Sequence, residues 1–229
     1  MNLNVLLGNT GPSWTISAAC ASGAYAIGQA ADQIRLGRLD RVVCGAAQEV
    51  NWPSVCSFDG LGAFSARTPA EAASRPFDKG RDGLVPSGGA AALLLEDYDT
   101  ARSRNACILA EVLGFGCSAD GETLSVPSRT GLARAMRMAL AEGGLSTADV
   151  DIVNAHAAGH THLLLRQFII RKTFKSRIRY RSNCWMGFQK LRYLHCIAAM
   201  AIHTNGQCLH AAGNQKCIKR AEYSTSHIF

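Results

Sequence analysis

The chain has 229 residues, and 24 Lys+Arg against 17 Asp+Glu give it a formal net charge of +7. It holds no apolar run of the roughly 18 residues that a membrane-spanning helix needs, no internal repeat and no low-complexity stretch. Its nine cysteines lack regular spacing and Met1-Asn2-Leu3 opens no export signal, so reduced thiols in a cytoplasmic protein are expected rather than a disulfide framework.

In chain order, an extended segment from Trp14 runs into a helix of small residues from Cys20 to about Leu36, with Gly37 as its stop. That would place the Cys20 thiol at a helix N-terminus, against free backbone N–H groups and the positive end of the helix dipole. Such surroundings favour thiolate, the form that attacks carbonyls, over the thiol of a free cysteine with a pKa of about 8.5. The plainer alternative is a buried structural cysteine.

Arg41 to Ala46 reads as a short buried strand, and Gly88 to Glu96 as another that leads into a helix from Asp97 to Arg104. Ile108 to Gly116 is a strand with alternating apolar positions. Thr130 to Glu142 is an amphipathic helix with Leu132, Met136 and Leu140 along one face. Ser146 is an N-cap for a turn before a strand from Asp151 to Asn154. Strands alternating with helices predict an α/β sheet with largely parallel pairing.

Five segments in fixed order say more than any one of them. They are Gly11-Pro12-Ser13-Trp14-Thr15-Ile16-Ser17-Ala18-Ala19-Cys20-Ala21-Ser22-Gly23, Phe58-Asp59-Gly60-Leu61-Gly62-Ala63-Phe64-Ser65, Arg75-Pro76-Phe77-Asp78-Lys79-Gly80-Arg81-Asp82-Gly83-Leu84-Val85, Ser87-Gly88-Gly89-Ala90-Ala91-Ala92-Leu93-Leu94-Leu95-Glu96, and Val153-Asn154-Ala155-His156. From Leu3 to His156 the chain resembles the β-ketoacyl-[acyl-carrier-protein] synthases, the elongating condensing enzymes of fatty-acid and polyketide synthesis. The resemblance implies an α/β, thiolase-like five-layered αβαβα sandwich, incomplete here at both ends. Residues 1–106 would be the latter part of its first half, 107–157 the start of the second, and 158–229 a basic tail unlike the family.

By resemblance, Cys20 is the nucleophile that forms an acyl-enzyme and His156 one of two imidazoles that stabilise the enolate left by decarboxylation. The Cys20 N–H would donate to the oxyanion. Substrates would ride on the phosphopantetheine arm of acyl carrier protein, with no metal and no further cofactor, and the full-length enzyme would be a homodimer joined at the sheet edge near Arg41 to Ala46. Arg81, Asp82 and Asp78 are expected to be structural, the first two as a charge pair in a loop that shapes the wall of the site. A non-catalytic chain-length-factor relative is disfavoured by Cys20, and a coenzyme A-dependent thiolase by the Arg75 to Val85 signature. The chain as it stands is expected to be an inactive fragment that does not turn over, with a pseudogene product as a further alternative.

The family's T-S-T-P-x-G-D run is not legible after His156, and neither its K-x-x-T-G-H-x-x-G-A-A-G motif nor its terminal G-F-G-G-T-N loop is recognisable. Composition changes at the same point. Residues 1–157 hold 12 basic and 16 acidic residues, whereas the tail from Ala158 holds 12 basic residues and one acidic, Glu222; all six prolines precede the break and six of seven histidines follow it. The tail reads as out-of-frame sequence, as a nucleic-acid arm built on Arg171, Lys172, Lys175, Arg177, Arg179 and Arg181 with Phe174 and Tyr180, or as a metal site. Cys184, His195, Cys196, His203, Cys208, His210 and Cys217 crowd together, but no C-x-x-C or H-x-x-x-H pair occurs among them to support zinc. Lys190 stands five residues before His195 with Ala198-Ala199 after, a spacing that echoes the family's second histidine without its neighbours. The loss of acidic residues and prolines at a motif boundary favours the first reading.

Overall fold

The structure, a computed structural model, describes residues 2–69, 72–76, 78–121, 128–150, 152–154, 156, 191–196 and 199–204. The elements are α1 (Asn2–Leu7), α2 (Ser22–Arg35), β1 (Arg41–Gln48), α3 (Trp52–Gly60), β2 (Gly89–Glu96), α4 (Tyr98–Ser103), β3 (Ala110–Gly116), α5 (Arg129–Glu142), a 3-10 turn (Thr147–Asp149), β4 (Ile152–Asn154), β5 (Leu191–Cys196) and β6 (Ala199–Thr204). β1 and β2 form a two-stranded sheet, and a second sheet has the order β3-β6-β5-β4.

The pairing departs from expectation. β1 with β2, β3 with β6 and β5 with β6 are antiparallel, and only β4 with β5 is parallel. β5 and β6 come from the basic tail and stand between β3 and β4. At about 4.8 Å per strand step, β4 lies about 14 Å from β3.

The expected elements form within a few residues of their predicted ends, and α1, α3, β5 and β6 are additional. α3 has its own signal in the sequence: the Asn51 side chain accepts from the Ser54 N–H at 3.0 Å, and Pro53 occupies the first turn. Asp97 caps α4 in the same way. Ser146 caps the turn before β4 as expected, and Asp149 reaches back to the Ser146 N–H at 2.9 Å to complete a capping box.

Small residues decide the packing. On α5 the buried positions are Gly131, Ala135, Ala139 and Leu140, so Ala135 and Ala139, not Leu132 and Met136, hold the centre of the face. The reason lies on β3: a Cβ added to Gly114 or Gly116 would meet the carbonyl oxygen of Ala139 or Ala135 at 2.2 and 2.1 Å. Backbone therefore approaches backbone, and only small side chains fit between. Met136, Val150 and Val153 close over that contact.

α2 meets β3 through one ring. A Cβ on Gly28 would stand 2.3 Å from the Phe115 ring, which is buried and meets Tyr25 edge-on at 5.5 Å. Arg35 ties the far end of α2 to the same region, pairing with Glu142 and donating to the Val112 carbonyl at 3.0 Å, while Glu142 accepts from the Phe115 N–H at 2.9 Å.

β2 forms but is not buried. Neighbouring residues of a strand face opposite ways, yet Leu93 and Leu94 are 47% and 59% exposed, so both faces of β2 stand open. Glu96 at its end is enclosed between Arg41 at 2.7 Å and Arg104 at 2.5 Å.

Gly28→Ala is expected to destabilise the chain by about 1–2 kcal/mol, because overpacking costs about 1–3 kcal/mol and helix propensity returns at most about 1. Urea unfolding measures this, and the loss should shrink in a Phe115→Leu background; a Gly28→Ala chain more stable than its parent would show that the ring does not fill that space.

Candidate functional site

The extended segment ending at Ala18 turns sharply into α2. Ala19 takes a φ of +48°, in the left-handed region that a side chain disfavours by about 1–2 kcal/mol. The Ser22 hydroxyl spans this turn: it accepts from the Ala18 N–H at 2.8 Å and donates to the Ala19 carbonyl at 2.7 Å. The Ala21 and Ser22 N–H groups bond to the Ala18 and Ala19 carbonyls at 3.0 and 3.1 Å. Net hydrogen bonds of about 1 kcal/mol each offset the cost of the turn. Below it, Ala21 packs on Phe115, with Ala18, Ala24, Tyr25 and Cys117 around them.

Cys20 sits on this turn, two residues ahead of the first helical residue, and is half-buried. The expected thiolate is not preformed. Burial pushes the Cys20 thiol above its ordinary range, opposed only in part by its own backbone N–H. Ala21, not Cys20, is the N-cap, so Cys20 stands one residue ahead of the helix end it was expected to occupy. Cys44, inside β1, is pushed up to about 11 by burial, while Cys56 and Cys107 are exposed.

His156 lies two residues beyond β4 and is half-buried. Cys20 and His156 therefore belong to elements at opposite ends of the sheet order, α2 against β3 and the segment after β4. α5 bridges the two, since Ala135 and Ala139 touch both β3 and Val153.

The signature loop is held by charge, with different partners from those expected. Asp82 pairs with Arg67 at 3.2 Å and accepts from the Ser65 hydroxyl at 2.7 Å, while Arg81 donates to the Asp78 carbonyl at 2.9 Å. Asp78 also accepts from the Gly80 N–H at 2.6 Å and lies 3.9 Å from Arg75. The Ser65 bond first, and Arg67 after it, hold the Asp82 carboxyl below its usual range. The Phe64 and Leu84 backbones bridge beside this cluster and anchor the loop to the segment after α3.

Among the described residues no group of His, Cys, Asp and Glu is placed to hold a metal ion, and no helix is long and apolar enough to cross a membrane. The Arg171 to Arg181 cluster, with Cys184, Cys208, His210 and Cys217, lies outside the described residues.

The Beta-ketoacyl synthase, N-terminal domain, matches residues 2–101, and the Beta-ketoacyl synthase, C-terminal domain, matches 109–221. The chain belongs to the β-ketoacyl synthase family. The 3-oxoacyl-[acyl-carrier-protein] synthase 1 of Escherichia coli K12 is 41% identical over 149 residues, 64% of this chain and 36% of that protein. Synthase 2 of Vibrio cholerae is 40% identical over 159 residues, 68% and 38% of the two chains. The crystal structure of a β-ketoacyl synthase from Burkholderia phymatum superposes with a TM-score of 0.68 at 40% identity, covering 70% of this chain and 40% of that one. The fold is thus thiolase-like α/β, and the chain spans well under half the length of these relatives.

The C-terminal match takes in Gly206-Gln207-Cys208-Leu209-His210-Ala211-Ala212-Gly213. This run keeps four of the six fixed positions of G-H-x-x-G-A-A-G, with Gln207 and His210 in place of the pattern's histidine and middle glycine. These residues lie outside the described ones.

Because the folded Asp82 carboxyl is depressed, its contribution to stability is present above the ordinary aspartate pKa of about 3.9 and is lost as pH falls through the lower folded value. Ser65→Ala removes the leading cause and is expected to move the onset of acid unfolding to higher pH. Circular dichroism against pH measures the shift; an unchanged acid limb would show that the Ser65 bond does not set it.

Proposed function

We propose that the chain carries the acyl-transfer half of a β-ketoacyl-[acyl-carrier-protein] synthase, with Cys20 as nucleophile. One observation carries this reading: in a chain of this family, the motif cysteine is presented by a left-handed turn directly before α2. The sulfur attacks the carbonyl of an acyl thioester, the tetrahedral intermediate collapses, and the carrier's thiol leaves with a proton. The acyl group then rests on Cys20 as a thioester. In the condensation that follows, malonyl-carrier loses carbon dioxide, its α-carbon attacks the acyl carbonyl, and the Cys20 thiolate is released. His156 is proposed to donate a hydrogen bond to the malonyl thioester oxygen while the enolate exists.

The partner on this reading is acyl carrier protein. One similar solved structure, at 33% identity and a TM-score of 0.66, is a type II PKS acyl-carrier protein in complex with its ketosynthase. No metal or separate cofactor takes part, since the thioester is the electron sink. A cytoplasmic setting and a homodimer joined along the outer edge of β1 complete the proposal; β1 is bonded to β2 along its other edge.

Incubation with octanoyl-acyl carrier protein should add one octanoyl group to the Cys20 peptide, and Cys20→Ala should remove it. Equal adducts on the exposed Cys56 and Cys107 would defeat the assignment. Because burial raises the Cys20 thiol, the acylation rate should climb about tenfold per pH unit and still be rising beyond about pH 8.5, the range of a free thiol. A plateau near pH 7 would show that another group lowers it.

A further inference from the structure

Whatever brings the Cys20 sulfur to a thioester carbonyl depends on a turn that its own residues disfavour. Ala19 is one of only two non-glycine residues with positive φ among those described, and it directly precedes the nucleophile. One side chain crosses that turn. The Ser22 hydroxyl uses its lone pair on the Ala18 N–H and its proton on the Ala19 carbonyl, at 2.8 and 2.7 Å, so it grips the residue at the bend and the residue before it. Both bonds run backward out of α2, across Cys20. The Ser22 backbone N–H also bonds to the Ala19 carbonyl at 3.1 Å, so a single residue holds that carbonyl twice. As an N-cap the hydroxyl would accept from N–H groups further into α2; here it reaches the other way, and the helix has no side-chain cap.

We infer that Ser22 is a positioning residue for acyl transfer: its hydroxyl locks the 18–22 turn and thereby fixes where the Cys20 sulfur and N–H point. The inference rests on Cys20 being the acyl acceptor. Ser22 touches no reacting atom. It acts through the backbone on either side of Cys20, and the orientation of a nucleophile is worth orders of magnitude when a small displacement takes it off its line of attack. The chemistry asked of position 22 is a hydroxyl that donates and accepts at once, which threonine supplies. Valine has threonine's shape and neither capacity.

The test compares the unsubstituted chain with Ser22→Thr, Ser22→Val and Ser22→Ala, each confirmed folded by circular dichroism. Acylation of Cys20 by octanoyl N-acetylcysteamine thioester is followed over a range of concentrations by peptide mass spectrometry. The expected result is a maximal acylation rate lowered about tenfold or more in the Val and Ala chains, half-saturation unchanged within about twofold, and recovery to within about threefold of the parent with Thr. A merely structural loss would lower the melting temperature of Val and Ala without this split, and Thr would not stand apart from Val. Equal maximal rates for Val and Thr overturn the inference even if Ala fails to fold. Failure of the unsubstituted chain to take the acyl group overturns the proposed function and this inference with it, whereas normal acylation of Ser22→Val overturns the inference alone.

Discussion

The contact between Gly28 and the Phe115 ring governs the rest of the molecule. Only a glycine lets α2 come down onto β3 at that distance, and the ring fills the space so gained. The start of α2 carries the Cys20 turn and its end carries Arg35, bound to Glu142 and the Val112 carbonyl. Seating α2 therefore sets the position of Cys20 and joins the portion matched by the N-terminal family domain to that matched by the C-terminal one. α5 reaches β3 by the same device, glycine on the strand and alanine on the helix. Both helices that flank β3 are thus placed by missing side chains, which makes the arrangement intolerant of added volume.

Burial dominates the surroundings of the Cys20 thiol, which stands two residues ahead of the first helical residue of α2. Cys44 marks the far end of the same trend, enclosed in a strand and pushed up to about 11. What separates the two cysteines is presentation. Cys44 lies in a regular strand whose neighbours exclude a reagent, whereas Cys20 lies on a bend where the chain reverses between small residues.

The elements legible in the sequence were those with local signals. The Ser146 cap, the glycine stop at Gly37 and the apolar runs of β1 and β2 each belong to a few adjacent residues, and each element formed close to its predicted ends. Distant partners were not legible. Nothing local in Arg81 and Asp82 reveals that Asp82 takes Ser65 and Arg67, fifteen or more residues away, as its partners. Alternation of strands and helices suggested parallel pairing, but the neighbours of β3 and β4 come from beyond residue 190. The apolar run of β2 marked a strand but not a buried one: what covers a strand is a property of other segments, and here Leu93 and Leu94 meet solvent. Cys20 was singled out because five motifs fell in order; the helix it was expected to open starts two residues later, at Ser22.

The Tyr25–Phe115 pair gives the seat of α2 an alkaline limit. Burial first, and the neighbouring Cys117 thiol after it, raise the Tyr25 hydroxyl above its ordinary range. A group so raised supports the fold below its unfolded pKa of about 10, and that support is lost as pH climbs through the higher folded value. The Cys20 thiol needs the opposite, since it gains thiolate in the same direction. Base that ionises the Cys20 thiol therefore also works to place a phenolate against an aromatic edge two helix turns or less from it. Rising pH thus works on the Cys20 thiol and on the Tyr25 hydroxyl together, favouring thiolate at the one and loosening the seat of α2 at the other.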